Sequence, residues 1–171
     1  MISAIEYAIV KYGATATLEA STPALDFIPP AAWYDLDSGT AHKSMASRVL
    51  LRSESPAPAF ASNIVIQYFD LGPCEPIRLS DIDTTLDISA LDDAVVLEHT
   101  VGAGGYLCVD DGTYRAEEFS LRIRRCQLSY QTGQDSSMLS IFTATTPEES
   151  WATSEPEITE MEALWLRKTT T

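Results

Sequence analysis

Basic residues are scarce in this chain: 11 Lys and Arg stand against 25 Asp and Glu in 171 residues, a formal net charge of -14. A field of that sign repels phosphate backbones and anionic headgroups, so nucleic acid and acidic membranes are not expected partners. It suits high solubility, or a partner protein with a basic surface. Histidine is scarcer still, at His42 and His99. A general base needs a positioned partner, none is evident for either ring, and no Gly-x-Ser-x-Gly elbow or Cys-His signature occurs. No catalytic residue is assigned, and the chain is expected not to be an enzyme. Cys74, Cys108 and Cys126 are odd in number and lack CxxC spacing. That argues against a disulfide framework and a zinc site, and favours free thiols, two of them in buried strands, in a reducing compartment. The N-terminus has no basic n-region and carries Glu6 among its apolar residues, so a signal peptide is not expected and a cytoplasmic address is. No apolar run approaches the roughly 20 residues of a spanning helix.

Two segments with a suggestive look lack what their chemistry requires. Val101-Gly-Ala-Gly-Gly-Tyr106 has neither the third glycine of a dinucleotide fingerprint nor the Lys-Ser/Thr of a phosphate loop, and reads as a turn. Asp81-Ile-Asp-Thr-Thr-Leu-Asp87 lacks the glycine and distal glutamate of a calcium loop, and reads as a solvated helix start. No cofactor and no metal are expected.

What is present is a 45% hydrophobic chain whose length suits one domain over residues 1–171. Ile2, Ile5, Ile9 and Tyr12 recur at helix spacing up to Gly13, while residues 7–18 fit a strand equally well; the pattern does not separate the two. A short strand is expected over residues 25–28, ended by Pro29-Pro30, with Trp33 and Tyr34 following and a loop over residues 39–47. Strands are expected over 48–53 and 63–69, the second with Ile64, Ile66 and Tyr68 on one face. Ser80 marks an expected helix start. Strands follow over 94–99 and 106–109, then a tight turn at Asp110-Asp-Gly-Thr113 and a return strand over 113–117. Phe119, Leu121 and Ile123 alternate with Arg122 and Arg124, and the apolar phase slips after Arg125, which suggests a bulge. The last strand covers 138–144. A terminal helix follows, with Ser154-Glu-Pro-Glu157 as its capping box and Ile158, Met161 and Trp165 on one face. Strands in a run with helices held apart mean α+β, an antiparallel sheet with helix packing on its faces.

Three motifs in order carry a family resemblance. Leu25-Asp-Phe-Ile-Pro-Pro-Ala-Ala-Trp33, Phe60-Ala-Ser-Asn63-Ile-Val-Ile, and Phe142-Thr-Ala-Thr-Thr-Pro-Glu-Glu-Ser-Trp151 before an acidic helix resemble the LpqN/LpqT and PsbP-like proteins over residues 24–168. Ser62 stands where the family has proline. The resemblance implies an α/β/α sandwich around a central antiparallel sheet, with Pro30, Trp33 and Asn63 as structural markers. It implies a non-enzymatic binding module, since Mog-type Ran-binding proteins, PsbP, envelope lipoproteins and Eag chaperones share it. The expected role is therefore an adaptor or chaperone. A small-molecule or lipid binder of the cell envelope, with a pocket lined by Trp33, Phe142 and Trp165, is the alternative, as is an acidic immunity-type protein. Expected partner-binding residues are Trp33, Arg122, Arg124 and Trp165: the two arginines share a strand face and suit a carboxylate.

Overall fold

The structure is a computed structural model, and it describes residues 3–20, 25–132 and 135–169. Helix α1 (Ala4–Tyr12) opens the chain. Ser3 and Glu6 form a reciprocal capping box, and Gly13, at φ 65°, closes the helix in the left-handed region that a Cβ disfavours. The strand alternative for this segment shrinks to β1 (Thr17–Leu18). The rest of the order is β2 (Trp33–Asp35), α2 (Ser38–Lys43), β3 (Arg48–Arg52), β4 (Asn63–Asp70), α3 (Leu86–Ser89), β5 (Val95–Gly102), β6 (Leu107–Ala116), β7 (Phe119–Gln131), β8 (Ser137–Pro147) and α4 (Trp151–Thr169).

All strand pairs are antiparallel, in the spatial order β2-β3-β4-β8-β7-β6-β5, with β1 beside the end of β4. Ile64, Ile66 and Tyr68 point to one face of β4, as alternation predicts. They meet Cys126, Leu128, Phe142 and Ala144 there, under Ile158, Met161 and Trp165 of α4. On the opposite face Phe69, Leu139 and Ile141 pack against Ala4 and Ala8 of α1 and against Leu71, Ile77 and Leu79. Ala41 of α2 packs with Ala46 and Val49 on that side too. Helices thus cover both faces of one sheet, an α+β sandwich.

Several sequence expectations are corrected. Residues 25–28 form no strand: the Arg48 guanidinium donates to the Leu25 and Phe27 carbonyls at 2.6 and 3.0 Å, so a side chain does the work of a ladder. The expected loop over 39–47 contains α2, which Asp37 caps by accepting from the Thr40 N–H at 2.9 Å. Ser80 starts no α-helix; it lies in a 3-10 turn, Leu79–Asp81, and α3 begins after Thr85. β7 has no bulge. Its apolar phase changes because helices bury both faces, so the core side switches along one regular strand. The bulge is in β5, between Val96 and Glu98. Helix α4 starts three residues before the expected cap, after a 3-10 turn Glu148–Ser150, and Ser154 is buried within it.

The largest correction concerns Asp110-Asp-Gly-Thr113, which is the middle of β6 and no turn. The chain reverses at Glu117, whose φ is 54°. Gly112 serves close approach instead: a Cβ there would lie 2.6 Å from the Val95 carbonyl oxygen and 2.9 Å from Ile88 Cγ2. Gly112→Ala is therefore expected to destabilise by about 1–3 kcal/mol. Hydrogen exchange of the β5 amides should accelerate with it, and an unchanged urea midpoint would show that β5 and α3 yield freely.

Asn63 pairs with Thr145 at the start of β4, and its Nδ2 donates to the Ala61 carbonyl at 3.2 Å. That bond is local and half-buried, so it shapes the entry to the strand.

Candidate binding surface

The four expected partner-binding residues are assembled by the fold, but not as an open surface. Trp165 is wholly buried; its ring lies 5.6 Å from that of Phe142, and its indole N–H donates to Ser140 Oγ at 2.8 Å. Trp165 and Phe142 fill the space between sheet and helix that the alternative reading had as a pocket wall. Trp33 is buried as well, donating its indole N–H to Glu157 Oε2 at 2.8 Å. Arg122 and Arg124 do share a face of β7, as alternation requires, but that face lies under α4. Arg124 donates to Glu162 Oε2 at 2.6 Å and to Oε1 at 3.3 Å, and it stands 3.5 Å from Asp111. Arg122 is in ionic contact with Asp111 at 2.5 Å and sits over the Trp151 ring at 4.9 Å. The sheet's own acid and the helix's Glu162 occupy both guanidinium groups.

A second ion pair ties α4 to the other half of the sheet. Arg52 Nε donates to Glu157 Oε2 at 2.9 Å. That bond, with the Trp33 indole N–H adding to it against the effect of burial, holds the Glu157 carboxyl below the usual range. A lowered folded pKa contributes stability above the ordinary carboxylate value and loses it as pH falls through the folded one. Glu157→Gln should thus differ most from the parent near neutrality, with the gap closing below about pH 4.3. Urea midpoints at a series of pH values check this; a gap that stays constant down to the acid limit would refute it.

The thiols match expectation. Cys108 and Cys126 are buried, and burial pushes both up, Cys126 strongly, so neither is a ready thiolate.

The free side of the sheet is β5. It is an eight-residue edge strand, whereas the other edge, β2, has three residues. Among the described residues its outer edge has no strand partner, and Val95, Leu97 and Val101 are 53%, 51% and 45% exposed. Edges are usually blunted by lysine, proline or a bulge; β5 has only the bulge. From Leu79 to Tyr114 there is no lysine or arginine, against eight acids, among them Asp92, Asp93 and Glu98.

His99 lies on this strand opposite Asp110, and the two are 2.7 Å apart through Nδ1 and Oδ1. Asp110 is fully buried. Local sequence hides this pair, because Asp110-Asp-Gly-Thr113 has the composition of a tight turn. The signal was available: a hairpin turning at residues 103–105 brings positions summing to 209 together, as Gly102 and Leu107 show. With Nδ1 engaged, Nε2 is the ring atom left to meet a partner at the edge.

Among the described residues no helix is long and apolar enough to cross a membrane, and no group of three or more His, Cys, Asp or Glu could hold a metal ion. No protein-family model matches the chain, and no curated protein matches it in sequence. Among solved structures it is similar to LpqN, described as involved in cell envelope biogenesis of Mycobacterium tuberculosis. Identity is 14%, the TM-score is 0.65, and 91% of each chain is covered. A protein of unknown function, PA94 from Pseudomonas aeruginosa, aligns at 16% identity and a TM-score of 0.41, over 86% of this chain and 93% of that one. At such identity the first likeness speaks for architecture alone. The fold is LpqN-like.

Proposed function

We propose that this chain is a non-enzymatic protein-binding module that takes an extended, basic segment of its partner along β5. The observation that carries the reading is the edge itself: backbone with no strand partner among the described residues and three half-exposed apolar side chains inside a 36-residue stretch without lysine or arginine. Strand addition supplies main-chain hydrogen bonds, and alternate side chains supply selectivity. An incoming strand with apolar residues toward Val95 and Val101 and a basic residue toward Glu98 satisfies both. A second copy of the chain is disfavoured, because each carries -14 and would bring its own acids to the same edge. The adaptor or chaperone role, and a place in the PsbP/Mog superfamily, extend this reading, as does a reducing cytoplasm, which the three free thiols support.

An eight-residue peptide alternating valine and lysine is the probe. Hydrogen exchange should show new protection at residues 95–102, and Leu97→Lys/Val101→Lys should weaken binding at least about tenfold through lost apolar contact and charge repulsion without lowering the melting midpoint. Equal binding of a valine-glutamate peptide would refute the proposal. So would protection elsewhere on the sheet, or self-association through β5 in sedimentation.

A further inference from the structure

A second surface feature lies where β7 begins and β8 ends. Because β8 runs between β4 and β7, Phe60, just ahead of β4, and Phe119, first in β7, reach across the end of β8. Their rings stand 5.6 Å apart at a 50° tilt. They line a cleft of about 270 Å³ together with Pro58, Pro147, Glu118 and Glu149, both glutamates being exposed. Among the described residues no lysine, arginine or histidine lines it; Arg115, opposite Ser120 on the neighbouring strand, lies outside the lining. Neither glutamate has an ion-pair partner among the described residues.

The chemistry that completes such a cleft is built elsewhere in this molecule, twice. Arg48 lies 4.5 Å from the centre of the Phe27 ring and is paired with Asp35 at 2.6 Å. Arg122 lies over Trp151 with Asp111 beside it. Each is a trio of aromatic ring, carboxylate and guanidinium. The cleft has the ring and the carboxylates and lacks the guanidinium. We propose that it binds an arginine side chain of a partner polypeptide, the alkyl stem against the proline rings and the guanidinium between the Phe faces and the two glutamates. Arginine suits it better than lysine, because a planar cation stacks on a ring and bridges two carboxylates at once. The inference stands on the cleft alone and is independent of strand addition at β5.

The test is an NMR titration of the full chain with three blocked tripeptides, glycine flanking arginine, lysine or norleucine. The arginine peptide is expected to saturate shifts at Phe60, Phe119 and Ser120. Glu118→Gln/Glu149→Gln, an exposed pair of changes that the fold should tolerate, should weaken it roughly fivefold. Phe60→Leu should weaken it separately, with the dispersion of the free spectrum confirming the fold. Equal affinity for the lysine or norleucine peptide, insensitivity to the glutamate changes, or shifts confined to β5 would overturn the proposal.

Discussion

Trp165→Ala should lower stability by about 3–5 kcal/mol, the range for truncating a fully buried tryptophan. Three effects combine. The side chain has no exposure, so its whole apolar area returns to water on unfolding and leaves a cavity on truncation. It loses the contact with Phe142 at 5.6 Å. It also removes the hydrogen bond that the hydroxyl of Ser140, itself buried, accepts from the indole N–H at 2.8 Å. At this chain length the melting midpoint should fall by roughly 10 °C or more. Trp165→Phe keeps a ring against Phe142 and forfeits the hydrogen bond and part of the volume, so about 1–2 kcal/mol is expected. Urea unfolding followed by circular dichroism measures both. A loss below about 1 kcal/mol for the alanine variant would mean that α4 does not seal the sheet, since Trp165 is the largest side chain that α4 buries completely.

What the sequence made legible follows from where each signal resides. Helix α4 and strands β3, β4, β7 and β8 carry their signal within themselves, as apolar periodicity, and periodicity is local. Strand β6 does not. Asp110 and Asp111 look like turn acids until they are set beside Arg125 and Arg124, which the β6–β7 register places opposite them. Polar residues inside a strand become readable only with a partner from elsewhere in the chain. The same limit governed Arg122 and Arg124. Alternation put them correctly on one face, but whether that face is open depends on Glu162 and Trp151, residues of a helix that packs across it. Trp33 was legible as a structural marker, and its burial against Glu157 needed α4 in place. The exposed edge at β5 was legible as a strand; that it ends the sheet is a property of strand order, which no local window contains.

Arg124→Ala should cost about 3 kcal/mol, at the low end of what breaking a buried pair costs. The low end applies because the Arg124 side chain keeps a quarter of its exposure while that of Glu162 keeps 11%. Glu162 raises the guanidinium's pKa through its hydrogen bond, against the effect of burial, so Arg124 is held charged. Without Arg124, Glu162 faces the Asp111 side of the network with no cation of its own, since Arg122 is already engaged by Asp111 at 2.5 Å. Replacing both members, Arg124→Met with Glu162→Met, removes the two charges together and fills the same space with apolar atoms. Stability within about 1 kcal/mol of the parent is expected, because the pair's attraction roughly offsets its desolvation. Urea midpoints for the alanine variant, each single methionine variant and the double variant close the comparison. Were the double variant to lose the sum of the two single losses, Arg124 and Glu162 would be uncoupled. Apolar packing alone would then set the position of α4 on the sheet.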